Sequence, residues 1–318
     1  MKKSLVLLFA SLTLLSSSLI SILNKDTLNK RDTNILIELK GSDLESEEEK
    51  NVIKKEFIKI LQSKIGLNYR VLNSYSNISN MLNIEISSLD YEKVKNISYV
   101  TNVFENKTFS YEDSYESYFV PDTTNNSKPD KDYSRIEMNI PSSSNDGTNT
   151  LICIIDDSFK VDHEMFKDLE NNYKYAKSTI STIKNSSGFH GKSAGYLNNK
   201  IPFYYSYATN DTTMSYEKNT KYHGSHVAGI AGANNTFLGA APNAQLALMR
   251  VTDNTSRHNF SESAILNALE DAMTLKCDVI NMSFGTSLID NALSQDFKNI
   301  FDKLNGSGIQ VNFAAEWW

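Results

Sequence analysis

The sequence predicts an α/β fold: a parallel sheet with helices on both faces, preceded by a small α+β unit. Three observations predict it. The runs Leu151-Ile152-Cys153-Ile154-Ile155 and Leu246-Ala247-Leu248-Met249-Arg250-Val251 have the character of strands buried on both faces. Further strand-like runs alternate with stripes at helical spacing, which is the order of strand–helix–strand units joined by right-handed crossovers. Before residue 109 the pattern is instead the period-two alternation of a half-buried sheet, interrupted by one long amphipathic helix.

The chain has 318 residues, 40 % of them apolar and 22 % charged, with a formal net charge of -6. This is ordinary for a globular protein and long enough for two domains. Mild acidity, with no Lys/Arg cluster, argues against a nucleic-acid partner. Lys2 and Lys3 precede an uncharged stretch from Ser4 to Leu23. Residues 1–24 therefore read as an export signal, which places the product outside the cell or at its surface, with no stable membrane span once the signal is removed. The competing reading is an uncleaved anchor, because the stretch approaches spanning length. Cys153 and Cys277 are the only cysteines. Both lie in apolar runs and read as buried small hydrophobes, although export would permit one disulfide.

The elements follow in order. Ile35, Ile37 and Leu39 alternate as a strand. Ser46 and Glu49 have capping-box spacing, Ile53, Phe57, Ile60, Leu61 and Ile65 form one helix face, and Gly66 is placed to end it. Leu82, Ile84 and Ile86 alternate again, a short helix follows near residues 89–94, and Val100 and Val103 suggest a closing strand. Residues 33–108 thus form one small domain. Residues 109–148, with Pro121, Pro129 and Pro141 among many Asn, Asp and Ser, read as a linker or as an extended segment lying on another domain. Residues 149–318 hold the α/β domain: the two runs above, a helix striped by Ile265, Ala268, Leu269, Ala272 and Met273, a strand at 278–282, a helix at 296–304 and a strand at 309–313. Gln310 and Asn312 interrupt that last strand, as one wet face or relaxed selection would allow.

In such sheets chemistry sits beyond the carboxyl ends of the strands. Asp156 and Asp157 end the first apolar run, where a carboxylate can orient a histidine. His223-Gly224-Ser225-His226 opens a small-residue run, Val227-Ala228-Gly229-Ile230-Ala231-Gly232, suited to a helix packed tightly on a sheet. His223 and His226 are three apart, which also admits a metal pair, although zinc would need further ligands and no Glu occupies the spacing of a His-Glu-x-x-His site. Ser283-Phe284-Gly285 leaves the end of a strand, where main-chain groups can pair with an extended peptide.

Together these residues resemble the subtilisin-like serine proteases at four places in the same order. Leu151 to Asp156, continuing through Val161-Asp162-His163-Glu164, is similar to the family's catalytic-Asp strand and loop. His223-Gly224-Ser225-His226-Val227-Ala228-Gly229 resembles HGTHVAG, with Ser225 in place of Thr. Gly239-Ala240-Ala241-Pro242-Asn243-Ala244 is similar to the GVAPxA turn, and Asp278 to Gly285 to the cleft strand DVINMSLG. Ile201-Pro202-Phe203-Tyr204-Tyr205-Ser206-Tyr207-Ala208-Thr209-Asn210 resembles a segment of the cell-envelope proteinases of this family. So does the 67-residue step from Asp156 to His223, which is longer than in compact subtilisins.

The resemblance implies a serine-type endopeptidase acting on extracellular protein or peptide substrates. Asp156 would orient His223, His223 would serve as general base, His226 would be structural, and Ser283, Phe284 and Gly285 would line the substrate cleft. Residues 33–108 would be an inhibitory propeptide, a partner of its own catalytic domain, making the product a zymogen. Structural calcium is the one cofactor the family suggests. Asp157 and Ser158 depart from the Thr/Ser and Gly that usually follow the catalytic Asp. After Ala314-Ala315 the expected Gly-Asn is replaced by Glu316-Trp317-Trp318, and no GTSMAxP nucleophile segment follows. Gly285-Thr286-Ser287 mimics its opening but sits in the cleft-strand loop. Residues 149–318 are accordingly expected to be the N-terminal part of an incomplete subtilisin-like domain. The alternatives are an inactive fragment or peptide-binding decoy and, with less support, a metal-dependent hydrolase using His223 and His226.

Overall fold

A computed structural model describes residues 32–109, 135–136, 138–140, 145–215, 222–235, 237–253, 259–284 and 291–314. The expected signal at 1–24, most of the 109–148 linker, Gly285, Ser287 and residues 315–318 lie outside the described residues. The chain divides into two compact units, Met1–Asn106 and Lys107–Trp318.

The first unit runs β1 (Asp32–Leu39), α1 (Glu47–Ile65), β2 (Tyr69–Tyr75), β3 (Met81–Ser87), a single 3₁₀ turn, α2 (Tyr91–Lys95) and β4 (Val100–Glu105). Its strands form an antiparallel sheet in the order β2-β3-β1-β4. Ser46 starts α1 by accepting the Glu49 N–H at 3.3 Å, and Glu47, Glu48 and Glu49 complement the positive end of the helix. Gly66, at φ 66°, ends it, its N–H bonded to the Gln62 carbonyl. Phe57, Leu61 and Ile65 pack on Ile35, Ile37 and Ile84 in one core.

Two features differ from expectation. The buried stripe of α1 continues through Lys50 and Lys54 while Ile53 is only half-buried. The lysine stems lie along the stripe, and their ammonium groups donate to the carbonyls of Ser76 and Tyr75, each at 2.6 Å. Strand β2 was not expected. Its register against β3 shifts between Val71 and Asn73, so a bulge breaks the alternation that would have announced it.

The second unit contains β5 (Thr108–Phe109), β6 (Leu151–Asp156), α3 (Lys177–Lys184), β7 (Phe203–Ser206), α4 (His223–Gly232), β8 (Gln245–Arg250), β9 (Phe260–Ser261), α5 (Glu262–Thr274), β10 (Val279–Met282), α6 (Asn291–Gly306) and β11 (Gln310–Phe313). Strands β5 and β9 form a short antiparallel pair. The five others make a parallel sheet in the order β11-β10-β6-β8-β7, with helices on both faces. Strands β6 and β8 are buried along their whole length, which is why they read as continuous apolar runs. Ile152, Ile154, Leu246 and Leu248 share a core cluster with Ala228 of α4. Strand β11 stands at the end of the described sheet, with Gln310 and Asn312 exposed.

The cysteines correct the sequence reading. Cys153 and Cys277 are buried, but they are joined as a disulfide with Cα atoms 6.1 Å apart, tying the middle of β6 to the turn before β10. Among the described residues no helix is long and apolar enough to cross a membrane.

Candidate active site

Strand register brings the candidate residues to one edge of the sheet. Asp156 is the last residue of β6 and pairs with Arg250 at the end of β8. On the other side Ile155 pairs with Met282, so Ser283 follows at the level of Asp156. Helix α4 begins at His223 and packs on β6 and β8. Gly224 makes that packing possible: a Cβ there would lie 2.7 Å from the Ser158 carbonyl oxygen and 2.8 Å from the Phe159 ring.

His223 Nδ1 lies 2.7 Å from Asp156 Oδ1, with Asp156 fully buried and the His223 side chain 35 % exposed. The same oxygen accepts the Asp157 N–H at 2.8 Å. Oδ2 is buried with no hydrogen-bond partner among the described residues. Burial pushes the Asp156 carboxyl up to about 6, opposed by the His223 hydrogen bond and charge and reinforced by the neighbouring Asp157 carboxylate. Above that pH an ionised Asp156 accepts from Nδ1–H, and in the neutral imidazole Nε2 is then the acceptor.

Asp157, 4 % exposed, is held by both its ends. Its carbonyl accepts from Arg250 Nε at 3.0 Å and Thr252 Oγ1 at 2.6 Å. Its Oδ1 accepts the Ser158 N–H, the Ser158 hydroxyl at 3.0 Å and the Gly224 N–H at 3.0 Å. The guanidinium of Arg250, itself fully buried, also donates to the carbonyls of Thr213 and Asp253. Sequence reasoning passed over Arg250. The signal was a lone cation inside an apolar strand run.

Ser283 accepts from the Asn281 side chain at 2.8 Å, and the Phe284 ring packs against Phe260 with centroids 5.2 Å apart. Gly285 lies outside the described residues. His226 is exposed on α4 and takes no part in the Asp156 cluster. Among the described residues the one grouping of three metal-capable side chains is Asp156, Asp157 and His223, whose candidate atoms lie within 4.8 Å. It does not fit calcium, which takes six to eight oxygens: here one donor is an imidazole nitrogen, and the carboxylates already accept backbone N–H groups.

The model of the subtilase family of peptidases matches residues 147–315, more than half of the chain. The chain belongs to the subtilase family. The chain is 30 % identical over 178 residues to the PI-type proteinase of Lactococcus lactis subsp. cremoris, a match covering 53 % of this chain and 9 % of the relative. It is 30 % identical over 179 residues to the C5a peptidase of Streptococcus pyogenes serotype M6, covering 53 % and 15 %. The solved epidermin leader peptide processing serine protease (EpiP) from Staphylococcus aureus shares the fold. Its TM-score is 0.50 at 17 % identity, with 90 % of this chain and 60 % of that one covered. This subtilase chain therefore spans 9–15 % of the length of the curated relatives it matches. The family is one of serine-type peptidases, and the five-stranded parallel sheet with its helices matches a subtilisin-like fold.

Proposed function

We propose that Asp156 and His223 are the orienting acid and the general base of an exported serine endopeptidase. The observation that carries this is the 2.7 Å contact between His223 Nδ1 and a fully buried Asp156 carboxylate at the carboxyl edge of the parallel sheet. Asp156 holds the imidazole in the tautomer with the proton on Nδ1, so Nε2 takes the proton of a serine hydroxyl as it attacks the scissile carbonyl. The imidazolium then returns that proton to the leaving amine. Water, deprotonated in turn by Nε2, hydrolyses the acyl-enzyme. Asp156 stays ionised throughout and stabilises the imidazolium. The serine itself is not assigned within residues 1–318.

Ser283, Phe284 and Gly285 are proposed to bind the substrate main chain as an added strand, from their place beyond the end of β10. The domain boundaries expected from the sequence fit the same reading, with an export signal at 1–24, an inhibitory propeptide at 33–108, a linker at 109–148 and the peptidase domain from 149. Substrates are extracellular proteins, and the product is a zymogen held by its own propeptide until processing.

The test is covalent labelling of the protein, as its gene encodes it, with a serine-directed phosphonate, followed by peptide mapping. Labelling of one serine that His223→Ala abolishes is the expected result. Peptide hydrolysis that resists the phosphonate and stops with a chelator would overturn the reading.

A further inference from the structure

Helix α4 lacks a cap of its own. Tyr222 precedes it in the left-handed region (φ 42°, ψ 54°) and makes no side-chain cap hydrogen bond. The Tyr222 carbonyl serves the Ser225 and His226 N–H groups. The Gly224 N–H is instead met from across the site, by Asp157 Oδ1 at 3.0 Å. A carboxylate at this end of a helix also meets the positive end of the helix dipole. A second link runs the other way, from the Lys160 N–H to Ser225 Oγ at 2.6 Å. Arg250 and Thr252 donate to the Asp157 carbonyl and anchor its main chain. The residue after His223 is thus fixed to the residue after Asp156.

We propose that Asp157 is a positioning residue that sets the His223 ring on Asp156 by holding the first turn of α4 through the Gly224 N–H. The proposal rests on the reading of His223 as the general base. An imidazole displaced by a fraction of an ångström leaves substrate binding intact and misaligns proton transfer, so turnover falls while KM holds.

The experiment compares Asp157→Ala and Asp157→Asn with the unaltered protein as its gene encodes it. It reads kcat, KM, Tm and the Nδ1–H resonance of His223 in histidine-labelled protein. Asp157→Ala is expected to lower kcat by about 10- to 100-fold with KM within about twofold, and to weaken or broaden the Nδ1–H signal. Asp157→Asn keeps an oxygen facing the Gly224 N–H and is expected to recover most of that loss. Should Asp157→Ala not fold, Asp157→Val fills the same space without oxygens and takes its place. A folded variant without the oxygen that keeps its turnover and its Nδ1–H signal overturns the proposal, as does an Asn variant as impaired as Ala. Retained turnover in His223→Ala would instead overturn the general-base reading, and the Nδ1–H resonance would still report whether Asp157 places the ring.

Discussion

His223 and Asp156 stand 67 residues apart in sequence and 2.7 Å apart in space, joined where a small-residue helix packs over the end of a fully buried strand. The contact pairs a half-exposed imidazole with a carboxylate that water does not reach.

The first prediction concerns pH and stability. The Asp156 carboxyl titrates at about 6 in the folded state against an ordinary 3.8. A carboxyl raised in this way prefers to be protonated in the fold, so its stabilising contribution is present below about pH 4 and is lost as the pH rises through about 6. Asp156→Asn does not ionise. It should be more stable than the unaltered protein at pH 7.5, with the gap closing by pH 4. Thermal melts at the two pH values check this.

The same ionisation governs turnover. Only ionised Asp156 accepts the Nδ1 proton, so hydrolysis should decline as the pH falls through about 6. Asp156→Asn should lose about 10⁴-fold in kcat at neutral pH. A pH–rate profile and a single kinetic comparison measure both.

Gly224→Ala places a methyl group 2.7 Å from the Ser158 carbonyl oxygen. The first turn of α4 must then lift from the 158–159 segment and carry His223 with it. Expected are a lower Tm and a kcat reduced by about 10- to 100-fold, read from a melt and a progress curve.

The Cys153–Cys277 bridge closes a loop of 124 residues that contains both Asp156 and His223. Peptide mapping without reductant should recover the two cysteines in one cross-linked peptide. Cys153→Ala with Cys277→Ala should destabilise the protein by up to about 4–5 kcal/mol, measured by denaturant unfolding.

Much of this was legible in the sequence because it is written in local pattern. Strand β6 is apolar from Leu151 to Ile155 and ends in the carboxylate of Asp156. α4 opens with His-Gly-Ser-His and continues in residues small enough to lie close on a sheet. The capped start of α1 follows from Ser46 and Glu49, and its end from Gly66. What escaped depends on contacts between distant segments. The bulge in β2 erases its alternation, Lys50 and Lys54 join a buried stripe through carbonyls 26 and 21 residues away, and the two cysteines are brought together by the pairing of β6 with β10. The role of Asp157 escaped for the same reason, since no spacing rule links its carboxylate to the Gly224 N–H.

The most direct test of the central claim is the steady-state rate of peptide hydrolysis by the protein its gene encodes, beside its His223→Ala variant. The account predicts a loss of at least about 10³-fold in kcat with little change in KM. A His223→Ala protein that is folded and turns over within about tenfold of the original would contradict it.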